Sequence, residues 1–202
     1  MSWMATGRYR LRQAPGGLAL VQDLVNTKGI QAYRPDLLAT PESASAWLAD
    51  AVQAWAGERD TNAPEDVSHI TADDLPRLRE LRAAVDALLP AGTGARQPVE
   101  DIPSTRIRLT PGPEGRVAVV PVGSGAAWAA SAVWSEILLA QLDGAWSRLK
   151  LCRNEDCASA FYDTSRNNSG VWHDVRTCGN AANLRASRAR RRRREASATG
   201  DI

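Results

Sequence analysis

Apolar positions fall into blocks separated by polar stretches rich in glycine and proline. The first block, GLALVQDLVNT at 17–27, is apolar nearly throughout and reads as a buried helix. The residues before it carry no such pattern, so 1–16 are expected to be a flexible lead. TPESASAWLADAVQAW then predicts a helix with Thr40 as N-cap and Pro41 at its first position. Trp47, Leu48, Val52 and Trp55 share one face of it. A polar loop runs from Gly57 to Ser68. In TADDLPRLRELRAAVDALLP, Leu75, Leu78, Leu81, Val85 and Leu88 recur at intervals of three and four. Asp73 and Asp74 suit the positive end of that helix, and Pro90 with AGTG ends it.

The period then shortens. TRIRLT (105–110) and RVAVVPV (116–122) flank the turn sequence PGPEG and predict a β-hairpin. GAAWAASAVWSEILLAQL (125–142) has the length of a membrane span, but Glu136 and Gln141 lie within it. Trp134, Ile137, Leu138 and Leu142 repeat at helical spacing. A buried helix of a soluble domain is the better reading, with no membrane partner. Residues 1–147 are therefore expected to form an α+β domain, mostly helical, with a small hairpin.

Charge changes the picture at the C-terminal end. The chain has a formal net charge of +2, yet from Arg148 onward 12 basic residues face 6 acidic ones, leaving the rest net acidic. Such asymmetry points to an anion-binding end. Only Lys28 and Lys150 among the basic residues are lysine, and five arginines stand in a row at 190–194. Three cysteines are an odd set for a secreted disulfide framework, and the N-terminus has no apolar signal core. A reducing, cytoplasmic setting follows. Candidate catalytic groups are sparse: His69 reads as a polar surface residue, GSG at 123–125 is too short for a phosphate loop, and Asp73 and Asp74 read as first-turn charges. The chain is not expected to be an enzyme.

All three cysteines and one of the two histidines lie in LCRNEDCASAFYDTSRNNSGVWHDVRTCGN, residues 151–180. Cys152-x4-Cys157 and His173-x4-Cys178 form two short pairs separated by fifteen residues. Each pair lets the chain turn so that two donors meet one ion, and the loop returns the chain for the second pair. Thiolate and imidazole donors suit Zn2+, and four protein ligands close the shell, so the zinc should be structural. Asp174 or water is the alternative to His173 as fourth ligand. The polar loop DTSRNNSG has little to bury and is expected to depend on the metal, whose removal should unfold 149–194 and spare the N-terminal helices.

Cys152, Asn154, Asp156 and Cys157, then Phe161, Asp163, Thr164, Ser165, Arg166, Asn167 and Ser169, then Trp172, Cys178, Gly179 and Asn180 form a dense pattern. It resembles the CGNR zinc-finger family, whose motif runs C-x-N-x-D-C, F-x-D-T-S-R-N-x-S and W-C-x4-C-G-N-R before a basic helix. LAL (18–20) with DLVNT (23–27), and DLLATPESASAWL (36–48), resemble the ABATE domain that usually precedes that finger. Two departures stand out. His173 occupies the position of the motif's third cysteine, which keeps a zinc donor, and Ala181 replaces the motif's arginine. The resemblance implies a transcription regulator whose N-terminal part dimerises, senses a small-molecule effector, or both.

After the last ligand comes GNAANLRASRARRRRREAS, a helix compatible with phosphate binding. The candidate nucleic-acid contacts are Arg176, Arg185, Arg188, Arg190, Arg191, Arg192, Arg193 and Arg194. Arg185, Arg188 and Arg192 share a side, while the rest spread around the helix, which favours DNA phosphates over base reading. The division expected is thus 1–147, a finger with its arginine helix at 148–195, and a flexible tail at 196–202. The alternatives are a zinc-stabilised module binding an acidic protein partner, or a non-specific nucleic-acid binder.

Overall fold

The computed structural model describes residues 3–29, 35–90, 104–112, 115–154 and 156–199. The order is α1 (Met4–Arg8), α2 (Leu18–Val25), α3 (Pro41–Glu58), α4 (Asp74–Leu88), β1 (Ile107–Pro111), β2 (Val117–Pro121), α5 (Gly125–Leu142), β3 (Leu149–Leu151), β4 (Ala160–Tyr162) and α6 (Asn180–Thr199). The fold class is α+β as expected: a mostly helical body with two small antiparallel hairpins, β1–β2 and β3–β4, and a final helix behind the finger.

Local chemistry sets the helix starts. The Thr40 hydroxyl accepts from the Ser43 amide while the Ser43 hydroxyl accepts from that of Thr40, a reciprocal cap with Pro41 just inside. Trp47, Leu48, Val52 and Trp55 are buried along α3, as are Leu75, Leu78, Leu81 and Val85 along α4. Asp74 accepts from the Thr71 amide at 3.0 Å and the Thr71 hydroxyl at 2.8 Å, so its charge serves the helix start.

Helix α5 lies against α2 and α4 through Ala126, Trp128, Ala129, Ala132, Val133, Ile137 and Ala140. Leu138 and Leu142 are 44% and 77% exposed, contrary to the face expected from spacing. The helix is apolar on every side, so periodicity does not single out a face. Ala126, Ala129, Ala132 and Ala140 lie inward instead, together with Trp128, Val133 and Ile137. Glu136 is buried and accepts from Trp55 Nε1 at 2.7 Å and Arg59 Nε at 2.8 Å, joining α5 to α3. A Cβ on Gly17 would collide with its carboxylate, so any larger residue at the start of α2 would push the Glu136 side chain aside. Among the described residues, no helix is long and apolar enough to cross a membrane.

The polar residues of α2 and its end are buried too, and they organise the body. Asp23 accepts from the amides of Ala5 at 3.3 Å and Thr6 at 2.7 Å, and from Trp47 Nε1 at 2.9 Å. Burial pushes its carboxyl above the ordinary value, against the pull of those donors. Gln22 accepts from the Ala14 amide at 2.6 Å and donates to the Arg12 carbonyl at 3.0 Å. Trp3, Ala5 and Ala14 are buried in consequence. The segment expected to be a flexible lead is, from residue 3 onward, pinned to the core through Trp3, Ala5, Thr6 and Ala14. Long-range hydrogen bonds, not a local apolar pattern, hold it there.

Hairpin β1–β2 pairs Leu109 with Val119, and β1 is exposed along its whole length. Hairpin β3–β4 pairs Lys150 with Phe161. Leu149 and Ala160 are fully buried within the same core as α2 to α5. Asn26 accepts from the Ala160 amide at 2.9 Å and donates to the Ala160 carbonyl at 3.0 Å, as a neighbouring strand would.

Candidate metal centre

The first ligand pair belongs to hairpin β3–β4. Cys152 follows β3, and its amide donates to the Ser159 carbonyl at 2.9 Å, extending the ladder by one rung. The amides of Cys157 and Ala158 both donate to the Asn154 carbonyl at 2.8 Å. Ala158 takes a left-handed φ of 46°, which turns the chain back into β4 with Cys157 facing Cys152.

The second pair is set by a wide turn, Val175–Gly179, ahead of α6. Asp174 Oδ1 accepts from the amides of Arg176 at 2.7 Å and Thr177 at 3.3 Å. Its carbonyl accepts from the amides of Cys178 at 3.0 Å and Gly179 at 3.3 Å. A bond five residues back widens the turn by one residue relative to an α-helix. Gly179 is buried, and a Cβ there would lie 3.3 Å from the Trp172 ring, so the turn closes on the tryptophan through glycine.

These elements bring Cys152, Cys157, His173 and Cys178 together, with their ligand atoms within 4.8 Å of one another. His173 Nδ1 lies 3.3 Å from Cys157 Sγ and 3.6 Å from Cys178 Sγ. A tetrahedral ion with bonds of about 2.3 Å to sulfur and 2.0–2.1 Å to nitrogen sets donor–donor edges of roughly 3.6–3.8 Å. The four residues thus fit a metal ion with little adjustment. Asp174, the alternative to His173, is taken up by capping the turn.

Cys152 and Cys178 are buried beside Phe161, with Leu11 and Trp172 packed over them. Hydrogen bonding, first from Cys152 and then from His173 and Ser159, holds the Cys157 thiol well below its ordinary value. The same contact with Cys157, reinforced by burial, pushes Cys152 up. Cys157 also raises His173. The cluster therefore already favours one thiolate, the form that binds metal.

The loop between the pairs has its own support. Asp163, 4% exposed, accepts from Lys150 Nζ at 2.7 Å, the Ser165 amide at 2.8 Å and the Gly170 amide at 2.7 Å. Lys150 Nζ also donates to the carbonyls of Asn168 at 2.7 Å and Gly170 at 3.2 Å. Beside the metal site expected to hold the loop, a buried ion pair also supports it. Lys150 is one of two lysines in the chain, and that rarity was the available signal.

The predicted arginines divide. Arg185, itself about half exposed, pairs with Asp156 and bonds the Asn154 carboxamide oxygen. Arg176, Arg188, Arg190, Arg191 and Arg192 are exposed, and the side chains of Arg193 and Arg194 lie outside the described ones. Helix α6 makes its main contacts with the turn before it. Arg153, which composition did not single out, lies with its guanidinium 5.9 Å from the Trp172 ring centre. His69 is exposed.

A Cys3His finger built on a hairpin of a helical α+β body defines the class of protein. The CGNR zinc-finger family matches residues 148–191. The ABATE family, described as "Putative stress-induced transcription regulator", matches residues 18–149, more than half of the chain. The chain belongs to the ABATE family and carries a CGNR zinc finger at its C-terminal end. None of the curated proteins matches it. The two matched regions meet at β3, where Leu149 lies in the core of the body.

Proposed function

We propose that the protein is a DNA-binding transcription regulator in which a structural zinc ion fixes the origin of α6 and directs its arginines to DNA phosphates. The observation that carries this reading is the continuity of Cys178, the wide turn and α6. The last ligand lies two residues before a helix that exposes Arg188, Arg190, Arg191 and Arg192. Guanidinium groups around a helix match phosphate oxygens bidentately. Four protein donors complete a tetrahedral shell, which favours a structural over a catalytic ion and a protein that is not an enzyme. A reducing, cytoplasmic setting would keep the three thiols available as ligands.

Grooves of the N-terminal body are of a size to take an effector. One of about 630 Å³ lies between α4 and the first turns of α5. Another of about 500 Å³ lies between β2 and the end of α3, with Trp55, Trp128 and Leu139 as apolar walls and Arg59 and Asn62 as polar ones.

The test is to incubate the zinc-loaded chain with random genomic fragments at physiological salt and sequence what stays bound, beside a chain ending at Ala189. One enriched sequence, lost on truncation, is the expected result. Uniform recovery would reduce α6 to a general phosphate clamp, and no recovery would favour an acidic protein partner instead.

A further inference from the structure

We propose that Arg185 is a positioning residue of the metal centre: it orients Asn154 toward the Cys178 thiolate and so latches α6 to the ligands. Asn154 is buried, with Nδ2 3.3 Å from Cys178 Sγ. Its other end, Oδ1, accepts from Arg185 Nη2, while Arg185 Nη1 pairs with Asp156 Oδ2. A carboxamide has one donor end and one acceptor end, and a guanidinium has donors only. Arg185 can therefore bond Asn154 in a single orientation, the one that presents the amino group to sulfur. An N–H aimed at a ligand sulfur fixes where that sulfur points, and outer contacts of this kind hold a ligand in place.

The helix geometry makes the latch reach. Side chains on a helix lean toward its N-terminus, so Arg185 lies back over the turn that holds Ala181, one turn earlier on the same face. The motif arginine would project from that position. The alanine there leaves the path open for a guanidinium arriving from 185. Arg185 is thus withdrawn from the set of phosphate contacts. Asp156 and Asn154, two residues of the C-x-N-x-D-C segment, gain a shared role as its seat.

The inference rests on the centre holding a metal, so the test titrates the full chain with Co2+, whose thiolate charge-transfer band reports on the sulfur ligands, and with Zn2+ in competition with a chelator. Arg185→Ala should lower Zn2+ affinity on the order of 10-fold and move the charge-transfer band to lower energy, because the sulfur loses its hydrogen bond. Arg188→Ala, one turn short of the finger's reach, should change neither. Arg185→Lys, with one donor centre for two acceptors, should fall between, and an unaltered thermal transition of the body would show that both variants fold. Equal affinities and bands for the Arg185 and Arg188 variants would overturn the latch alone. No Co2+ uptake by the unaltered chain would bring down the metal reading with it.

Discussion

Lys150 Nζ and Asp163 Oδ2 stand 2.7 Å apart, with the two side chains 14% and 4% exposed. Lys150 projects from β3, and Asp163 directly follows β4. The pair therefore ties the two strands together at the open end of the hairpin, next to the Asp163 amide bond to the Arg148 carbonyl. Its remaining bonds, to the carbonyls of Asn168 and Gly170 and the amides of Ser165 and Gly170, draw the polar loop down onto the hairpin. A charge-pair hub replaces the apolar core that the loop lacks.

Removing one partner of such a pair leaves the other charge buried. Lys150→Met should therefore destabilise the protein by about 3 kcal/mol, from the usual cost of an orphaned buried charge. Denaturant unfolding of the zinc-loaded proteins checks this. A change within ~0.5 kcal/mol would mean that Asp163 finds water in place of the ammonium.

Acid should act through the same residue. Burial pushes the Asp163 carboxyl up, but the Lys150 ammonium, the Ser165 hydroxyl and amide and the Gly170 amide outweigh it and hold the group well below the usual carboxylate range. A depressed carboxylate contributes its full stability above its unfolded value of ~3.9, and that contribution is lost as pH falls through the folded value. Asp163→Asn, weaker at neutral pH, should show a shallower fall in unfolding free energy between about pH 4 and pH 2. Both proteins are compared with chelator present, since the metal ligands take up protons at higher pH. Parallel slopes would assign the acid transition to other carboxylates.

What the sequence made legible follows a physical rule. Helices α3 and α4 show apolar residues at three and four because each buries one face, and the ligands show paired spacing because one ion needs four donors. Helix α5 hides its inner face because every side of it is apolar. The placing of residues 3–14 hides for another reason. Asp23 and Gln22 reach amides 17, 18 and 8 residues away, and no local pattern records a hydrogen bond made across the core. That Arg185, expected among the phosphate contacts, also meets the Asp156 carboxylate was not legible, because composition counts charge and not the partner of each guanidinium.

Asn26 offers a third test. Its carboxamide satisfies both backbone groups of Ala160, 134 residues away, inside the core. Asn26→Ala leaves a buried N–H and one bond to a buried carbonyl unmade, which should cost about 2–4 kcal/mol. Asn26→Asp keeps the acceptor but sets a carboxylate against the Ala160 carbonyl, so it should not rescue. Thermal unfolding of both variants decides, and a melting temperature for Asn26→Asp equal to that of the unaltered chain would remove the donor arm from this account.

Salt dependence tests the phosphate reading of α6. Each arginine that neutralises a phosphate contributes about 0.9 to the slope of log affinity against log salt. The double variant Arg190→Ala, Arg192→Ala should flatten that slope by about 2, whatever the DNA sequence. An unchanged slope with weaker binding would mean that the two side chains act on the protein and not on phosphate.

Metal removal separates the finger's two halves. The sequence alone led to the expectation that chelation would unfold 149–194 together. Yet Leu149 and Ala160 lie in the core of the body, and Asn26 and Gln22 bond the Ala160 backbone. The Lys150–Asp163 pair then holds the loop without a metal bond. The wide turn at Val175–Gly179 is held instead by the finger's own side chains: Val175 is 67% exposed, and α6 meets that turn and, through Arg185, Asn154 and Asp156. Chelation should therefore speed amide exchange from His173 into α6 by orders of magnitude and leave Leu151, Asp163 and Gly170 protected, since their donors remain bonded to Pro90, Arg148 and Asp163. Exchange that rises equally at Leu151 and Cys178 would show that the ion, and not the body, holds the hairpin.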